Sequence, residues 1–419
     1  MKNVLALAIV AGVSGAAFAA PVVTSFTQDP NTLEVTVRYT LDEPAIVTAD
    51  FRKRTGGVFA SIGEERFTRL AGDVNRYIET TGAHSFVWQP DDDDRSGETV
   101  SAENFQVVLS AWSKLDPPNY MAVNLSVSNS VFYYTSSNAV PNGVGDRLYK
   151  TEFILMRRIP AKGVTWKMGS PDSDPLREEG LETLHEVTLT DDYWMGVYEF
   201  TQAQYSHLRQ GRGNAFTTYG DSVIMPVSSI AYNTIRGDLG ASNWPNTGRS
   251  TVGGDLARIR KRTGVEFDLP TEAQWEFACR AGTGTQWNIP SISAGDEIAA
   301  NAAMVSRACM QNNNHYCTPN VQTTAPVGLF QPNAFGLYDM HGNVVEWCLD
   351  YWQDDLGDVP VTNPVGPTSA SGNYRVSRGG SYQDGAKYLR CARRRKGTEI
   401  SGANAYYGFR LMAPIGLKW

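Results

Sequence analysis

At 419 residues, with 42% hydrophobic and 19% charged side chains, the chain is long enough for two or three folded units and has the balance of an ordinary globular protein. That balance disfavours wholesale disorder, coiled coil, collagen and a multi-span membrane protein. A formal net charge of −7 offers no basic footprint for a phosphate backbone, so nucleic acid is not an expected partner.

The first element is a targeting signal: Lys2, an apolar run from Val4 to Val13, and the small-residue site Ala17-Phe18-Ala19. Residues 1–19 read as a secretory signal peptide, because the apolar stretch is too short to span a bilayer. No later segment reaches about 18 unbroken apolar residues, so the mature chain is expected to lack a membrane span and to be exported, to the periplasm, the cell surface or the medium. In an oxidising compartment the five cysteines become candidates for disulfides, and an odd count leaves at least one unpaired within the chain.

From residue 20 to 135 apolar residues alternate with polar ones. Leu33, Val35, Val37, Tyr39 and Leu41 share one face of an extended strand; so do Phe105, Val107, Leu109 and Ala111, and Met121, Val123, Leu125 and Val127. Turn signals such as Asp29-Pro30-Asn31 separate them, and the pattern predicts a small β-sandwich of immunoglobulin or fibronectin character. The acidic run Asp91 to Asp94 reads as a solvated loop tip. Residues 136–150 are polar and contain Gly and Pro, and they predict a linker.

The region 151–419 holds eight of the ten tryptophans, many glycines and few helix signals, so it is expected to be compact and largely irregular. Three helices announce themselves. Thr201 with Gln204 forms a capping-box pattern that runs out near Gly211, and Thr271 with Gln274 forms another, ended at Gly282. The third has Asp255 at its start and Arg258, Arg260, Lys261 and Arg262 near its end, as a helix dipole favours, with Gly264 following.

Several collinear blocks in this region carry a resemblance. They are Val164-Thr165-Trp166-Lys167-Met168-Gly169-Ser170, Tyr198-Glu199-Phe200-Thr201, and Leu269-Pro270-Thr271-Glu272-Ala273-Gln274-Trp275-Glu276-Phe277-Ala278. Further on come the run from Phe335 to Trp347, Arg378-Gly379-Gly380-Ser381-Tyr382, and Tyr407-Gly408-Phe409-Arg410-Leu411. Together they resemble the formylglycine-generating enzyme family, also called sulfatase-modifying factors. The resemblance implies an α+β domain over 151–419, related to C-type lectin-like folds, with the sandwich outside it.

Members that oxidise a substrate cysteine to formylglycine bind copper through two cysteines just after Gly-Gly-Ser, and thiolates suit Cu(I). Here that stretch, Ser381 to Cys391, is a few residues shorter, lacks both cysteines and carries Asp384 and Lys387 in their place. Copper is therefore not an expected cofactor. The resemblance further implies a disulfide between Cys279 and Cys391, and Leu411 stands where a second family bridge would need a cysteine. Cys309 and Cys317, close together in a polar loop, are candidates for a local bridge, and Cys348 is left over as a small apolar residue.

The same resemblance implies a calcium site with Asp339 and Glu346 through their carboxylates and Gly342 and Val344 through backbone carbonyls. Hard oxygen donors around a tight turn are what Ca²⁺ accepts. The plain alternative is that both carboxylates satisfy donors in a buried turn. A second family calcium site would fall near Asn301 and Ala302, without a clear later acidic ligand. The five histidines show no ligand spacing on a helix, and His341 is expected to bond to backbone. Ser381 reads as a loop-capping hydroxyl rather than a nucleophile.

These readings converge on a secreted pseudoenzyme: a calcium-stabilised binding module without oxidase activity. Loops around Trp287, Ser381, Gln383, Asp384 and Lys387 are then expected to take a peptide or glycan ligand. The alternatives are a sulfatase-activating oxidase with an atypical metal site and a structural part of a cell-surface assembly, because fold and chemistry are separable.

Overall fold

The computed structural model describes residues 20–63, 69–89, 100–101, 103–209, 222–237, 254–289, 324–368, 373–399 and 401–415. Residues 1–19, the acidic run 91–94, Asn301, Ala302, Cys309 and Cys317 lie outside the described residues. The chain divides into two compact units, one containing residues 20–123 and 131–146, the other 124–130 and 147–414.

In the first unit the alternating segments form strands β1 (Val22–Gln28), β2 (Val35–Leu41), β3 (Ala45–Thr55), β4 (Val58–Ser61), β5 (Leu70–Gly72), β6 (Arg76–Ile78), β7 (Gly82–Trp88), β8 (Phe105–Trp112), β9 (Tyr120–Asn124) and β10 (Val131–Tyr134). One antiparallel sheet has the order β1-β2-β7-β5; in the other β3 is flanked by β4, β6 and β8. Period two explains the core. In β2, Val35, Val37, Tyr39 and Leu41 point inward, beside Phe86 and Trp88 of β7, and meet Ala45, Val47 and Phe51 of β3 and Phe105, Val107 and Leu109 of β8 in one apolar cluster. The Phe51 and Trp88 rings stand 4.5 Å apart, centroid to centroid.

One expected strand is cut short. The alternation from Met121 to Val127 suggested a single extended run, but β9 stops at Asn124, whose side-chain oxygen accepts the backbone N–H groups of Ser126 at 2.7 Å and Val127 at 3.1 Å. This local turn outcompetes the ladder, and Val127 ends 55% exposed.

The second unit contains β11 (Phe153–Ile159), β12 (Val164–Met168), β13 (His185–Leu189), β14 (Tyr193–Gly196), β15 (Val345–Tyr351), β16 (Val361–Thr362), β17 (Tyr374–Arg378), β18 (Arg395–Glu399), β19 (Tyr407–Gly408) and β20 (Met412–Pro414), with helices α1 (Gln202–Leu208), α2 (Tyr232–Arg236), α3 (Gly254–Thr263) and α4 (Glu272–Arg280). It is a mixed α/β unit of short elements. β14 joins β11 to β20; β13 joins β12 to β16; and β18-β17-β15-β19 form a third sheet. Both capping boxes close as the sequence suggests: Thr201 and Thr271 each accept the N–H of the glutamine three residues on, whose side chain returns to the cap N–H. Helix α4 then ends in a left-handed Ala281 at φ 47°.

Helix α4 packs on β12, β15 and β17 and supplies Ala273, Trp275, Phe277, Ala278 and Cys279 to the main core. All seven residues of β15 are buried, Glu346 and Asp350 included, so neither face of the strand meets solvent. Buried ion pairs thread the same region. Arg378 bonds Glu272 at 2.9 Å and Glu276 at 2.6 Å, Arg394 bonds Glu272 at 2.7 Å, and Arg390 bonds Glu182 at 2.7 Å. With exposures of 0–3%, none of these charges is solvated, and each is viable only because its partner is in place.

Candidate functional site

The turn preceding β15 concentrates the unusual chemistry. Asp339, Gly342 and Asn343 adopt φ values of 60°, 142° and 64°, a backbone path that Gly, Asn and Asp tolerate best. Asn343 fixes the turn from inside: its Oδ1 accepts the Ala325 N–H at 2.9 Å, and its carbonyl accepts the Tyr382 N–H at 3.0 Å.

Glu199, which follows Tyr198 after β14, comes to the same turn. Its carboxylate accepts Nδ2 of Asn343 at 2.6 Å and the Val344 N–H at 3.1 Å. Asp339 is only half satisfied: Oδ2 accepts the Gly328 N–H at 2.7 Å, whereas Oδ1 is buried without a hydrogen-bond partner. Glu346 accepts Arg410 at 2.7 Å and the Trp275 indole N–H at 2.6 Å. Three carboxylates thus share one buried neighbourhood with the Arg410 guanidinium. Burial pushes Asp339 up to about 6, with the Glu346 charge adding to it. Glu199 is raised well above the ordinary range, first by burial and then by the charges of Asp339 and Glu346.

An unpaired carboxylate oxygen in an electronegative, oxygen-rich turn is the donor chemistry of a hard cation. Asp339 fits that reading. Glu346 is placed differently from the ligand set that the resemblance implies, because Arg410 and Trp275 occupy both of its oxygens. Glu199 stands nearby with less compensation. Glu199 lies within the Tyr198-Glu199-Phe200-Thr201 block, where the sequence alone assigns it no role. The available signal was a lone acid between Tyr198 and Phe200 in an otherwise apolar run.

The loop that follows Gly379-Gly380-Ser381 is braced by its own polar groups. Asp384 accepts both the backbone N–H and the hydroxyl of Ser381 at 2.8 Å and pairs with Arg395 at 2.7 Å. Ser381 is 1% exposed, in keeping with a loop-capping hydroxyl. Gln383, Lys387 and Tyr388 are exposed, and the Lys387 ammonium lies 4.8 Å from the Tyr388 ring centre. Trp287 corrects an expectation: it is 1% exposed and its indole N–H bonds the Ala386 carbonyl at 2.9 Å. It braces the loop from beneath and gives no aromatic face to a ligand.

Cys279 and Cys391 are brought together but not bonded. Both are buried free thiols with sulfurs 3.6 Å apart, and Cys348 is a third. His341 binds backbone as expected, with Nδ1 2.7 Å from the Leu389 carbonyl. On another part of the unit, a cavity of about 350 Å³ is lined by Met168, His185, Glu272, Asp350 and Val361, among others.

The fold and the turn define a scaffold of short strands and capped helices around a buried acidic loop, and comparison with known proteins places it. Residues 157–415 match the family described as the sulfatase-modifying factor enzyme 1-like domain. The chain belongs to that family. It is similar to the formylglycine-generating enzyme of Mus musculus, 29% identical over 290 residues, covering 62% of this chain and 75% of that protein. It is also similar to the formylglycine-generating enzyme of Thermomonospora curvata, 37% identical over 154 residues, covering 35% of this chain and 48% of that one. Among solved structures, PvdO from Pseudomonas aeruginosa is 22% identical, covers 62% of this chain and 94% of its own, and gives a TM-score of 0.47.

Proposed function

We propose that this chain is an exported, non-oxidising member of the family that serves as a calcium-stabilised binding or recognition module. The observation that carries this reading is the loop after Gly379-Gly380-Ser381. Residues 382–390 contain no cysteine, and Asp384, in the stretch where copper-binding thiols would stand, is committed to Ser381 and Arg395. A carboxylate already neutralised by a guanidinium is no substitute for a thiolate on Cu(I). The residues present do not fit copper.

Calcium suits the other loop. Asp339 would supply its unpaired oxygen, Gly342 and Val344 their carbonyls, with Glu199 and Glu346 completing the negative field; bound calcium would neutralise that field and hold the turn. The exposed Gln383, Lys387 and Tyr388 offer an amide, a cation and a ring edge to a peptide or glycan, with the N-terminal unit as an immunoglobulin- or fibronectin-like spacer. The alternative, a sulfatase-activating oxidase with an atypical metal site, has the family membership behind it and the missing cysteines against it.

Thermal unfolding with Ca²⁺ and with chelator tests the calcium arm: Ca²⁺ raises the melting temperature of the wild type, and Asp339→Asn removes most of that rise. An identical rise in the variant would sink the assignment. For the ligand arm, a glycan and peptide array probed with wild type and with the Gln383→Ala/Lys387→Ala pair should give signals that the pair loses.

A further inference from the structure

A second donor set lies close to the acidic turn and has opposite chemistry. Among the described residues, Cys279, His341 and Cys391 are the one group of three metal-ligating side chains whose ligand atoms all lie within 4.8 Å of one another. They come from three separate places: the end of α4, the turn before β15, and the second residue past the 386–389 helical turn. Their exposures are 0%, 2% and 0%.

The spacing suits a shared ion. Two sulfurs at about 2.3 Å from one tetrahedral zinc stand about 3.8 Å apart, whereas a disulfide needs about 2.05 Å. The observed separation is 3.6 Å. The Met340 carbonyl oxygen also lies 3.6 Å from Cys279 Sγ, about the sulfur-to-oxygen distance across a tetrahedral zinc.

The imidazole is oriented for the task. A carbonyl only accepts, so the 2.7 Å contact with Leu389 puts the ring proton on Nδ1 and the lone pair on Nε2. Metal-binding histidines are held in this way, with one nitrogen donating to a carbonyl while the other ligates. The backbone N–H of Asn288 reaches Nε2 only at 3.3 Å, a long hydrogen bond.

Charge selects the ion. Two thiolates, a neutral imidazole and a dication sum to zero, which a site this dry requires; Cu(I) would leave a net negative charge. Among the neighbouring guanidiniums, Arg280 is paired with Glu276, and Arg378 with Glu272 and Glu276. Thiolates and imidazole also discriminate against calcium, which keeps this site distinct from the acidic turn two residues away.

We propose that Cys279, Cys391 and His341 Nε2 form a buried zinc site in the reduced protein. Binding displaces one proton from each thiol and involves no electron transfer, and it excludes a Cys279–Cys391 disulfide in the same molecule. The test is Co²⁺ titration of the full mature chain, stripped of metal by chelator under reductant. The expected result is a thiolate-to-cobalt charge-transfer band with intense tetrahedral visible bands, saturating at about one equivalent and displaced by Zn²⁺. A Cys309→Ser/Cys317→Ser background keeps the spectrum. His341→Gln, which retains both thiols, weakens binding at least about tenfold and changes the visible bands. Absence of the charge-transfer band in reduced wild type overturns the proposal, as does a spectrum unchanged in His341→Gln or lost with Cys309 and Cys317. Uptake of Cu(I) without uptake of Zn²⁺ or Co²⁺ overturns the assignment of the ion.

Discussion

Replacing Asp350 by Asn should make the second unit more stable above neutral pH and leave it nearly unchanged in acid. Asp350 sits at 4% exposure on β15, accepts the Glu272 N–H at 2.7 Å, and carries a pKa raised from 3.8 to about 7, first by burial and then by the Glu272 charge. A carboxyl whose folded pKa exceeds its unfolded value binds more protons when folded, so stability falls as pH rises between about 4 and 7 and stays low above that. The displacement corresponds to about 4 kcal/mol. Asparagine keeps an oxygen for the Glu272 N–H and never ionises, so it escapes this loss. Urea unfolding followed by tryptophan fluorescence should place the variant within about 1 kcal/mol of wild type at pH 4.5 and up to about 4 kcal/mol above it at pH 8, or about 10 °C in melting temperature. A variant that is less stable by the same amount at both pH values would refute the reasoning, because the carboxyl would then be a neutral packing group at all pH.

Further outcomes follow from particular contacts. Arg378→Met takes one of two guanidiniums from each of Glu272 and Glu276, which keep Arg394 and Arg280, and should cost about 1–3 kcal/mol in urea unfolding, whereas Lys167→Ala, which removes an exposed pair with Glu186, should cost under about 1 kcal/mol. Thr271→Ala deletes the cap of α4 and should lower stability by about 1 kcal/mol; a loss near zero would mean that the capping box contributes nothing beyond the packing of the helix. Gly397→Ala would drive a methyl into the Trp347 ring and to 2.7 Å from the Arg375 carbonyl, so a loss of about 1–3 kcal/mol is expected in the same assay.

Local rules were legible where they act alone. Period-two alternation located β2 and β8, and both capping boxes marked their helices, because a strand face or a helix end is decided within a few residues. The same alternation misled at Val127, where the Asn124 side chain turned the backbone away from the ladder. β15 alternates Val345, Trp347, Leu349 and Tyr351 with Glu346, Cys348 and Asp350, yet both of its faces are buried, so the alternation that elsewhere marks a solvent face here marks a buried polar one. The acidic turn was found through a family resemblance and not through spacing. The role of Glu199 depends on a contact 144 residues distant, with Asn343, which no window along the chain can contain. Trp287 was misjudged because an aromatic in a loop reads equally as a binding face or as a brace, and the Ala386 carbonyl decides the matter. The cluster of Cys279, His341 and Cys391 likewise exists only after folding.

The central claim is that the scaffold has kept its fold and lost its oxidation chemistry, and the most direct measurement is an oxidase assay. The mature protein, reduced, supplied with Ca²⁺ and loaded with Cu(I), is incubated in air with a cysteine-containing sulfatase peptide, and the peptide is weighed by mass spectrometry. The account predicts unmodified cysteine throughout. Conversion to formylglycine over repeated turnovers would contradict it, and would mean that copper is held by residues other than a thiol pair after Gly379-Gly380-Ser381.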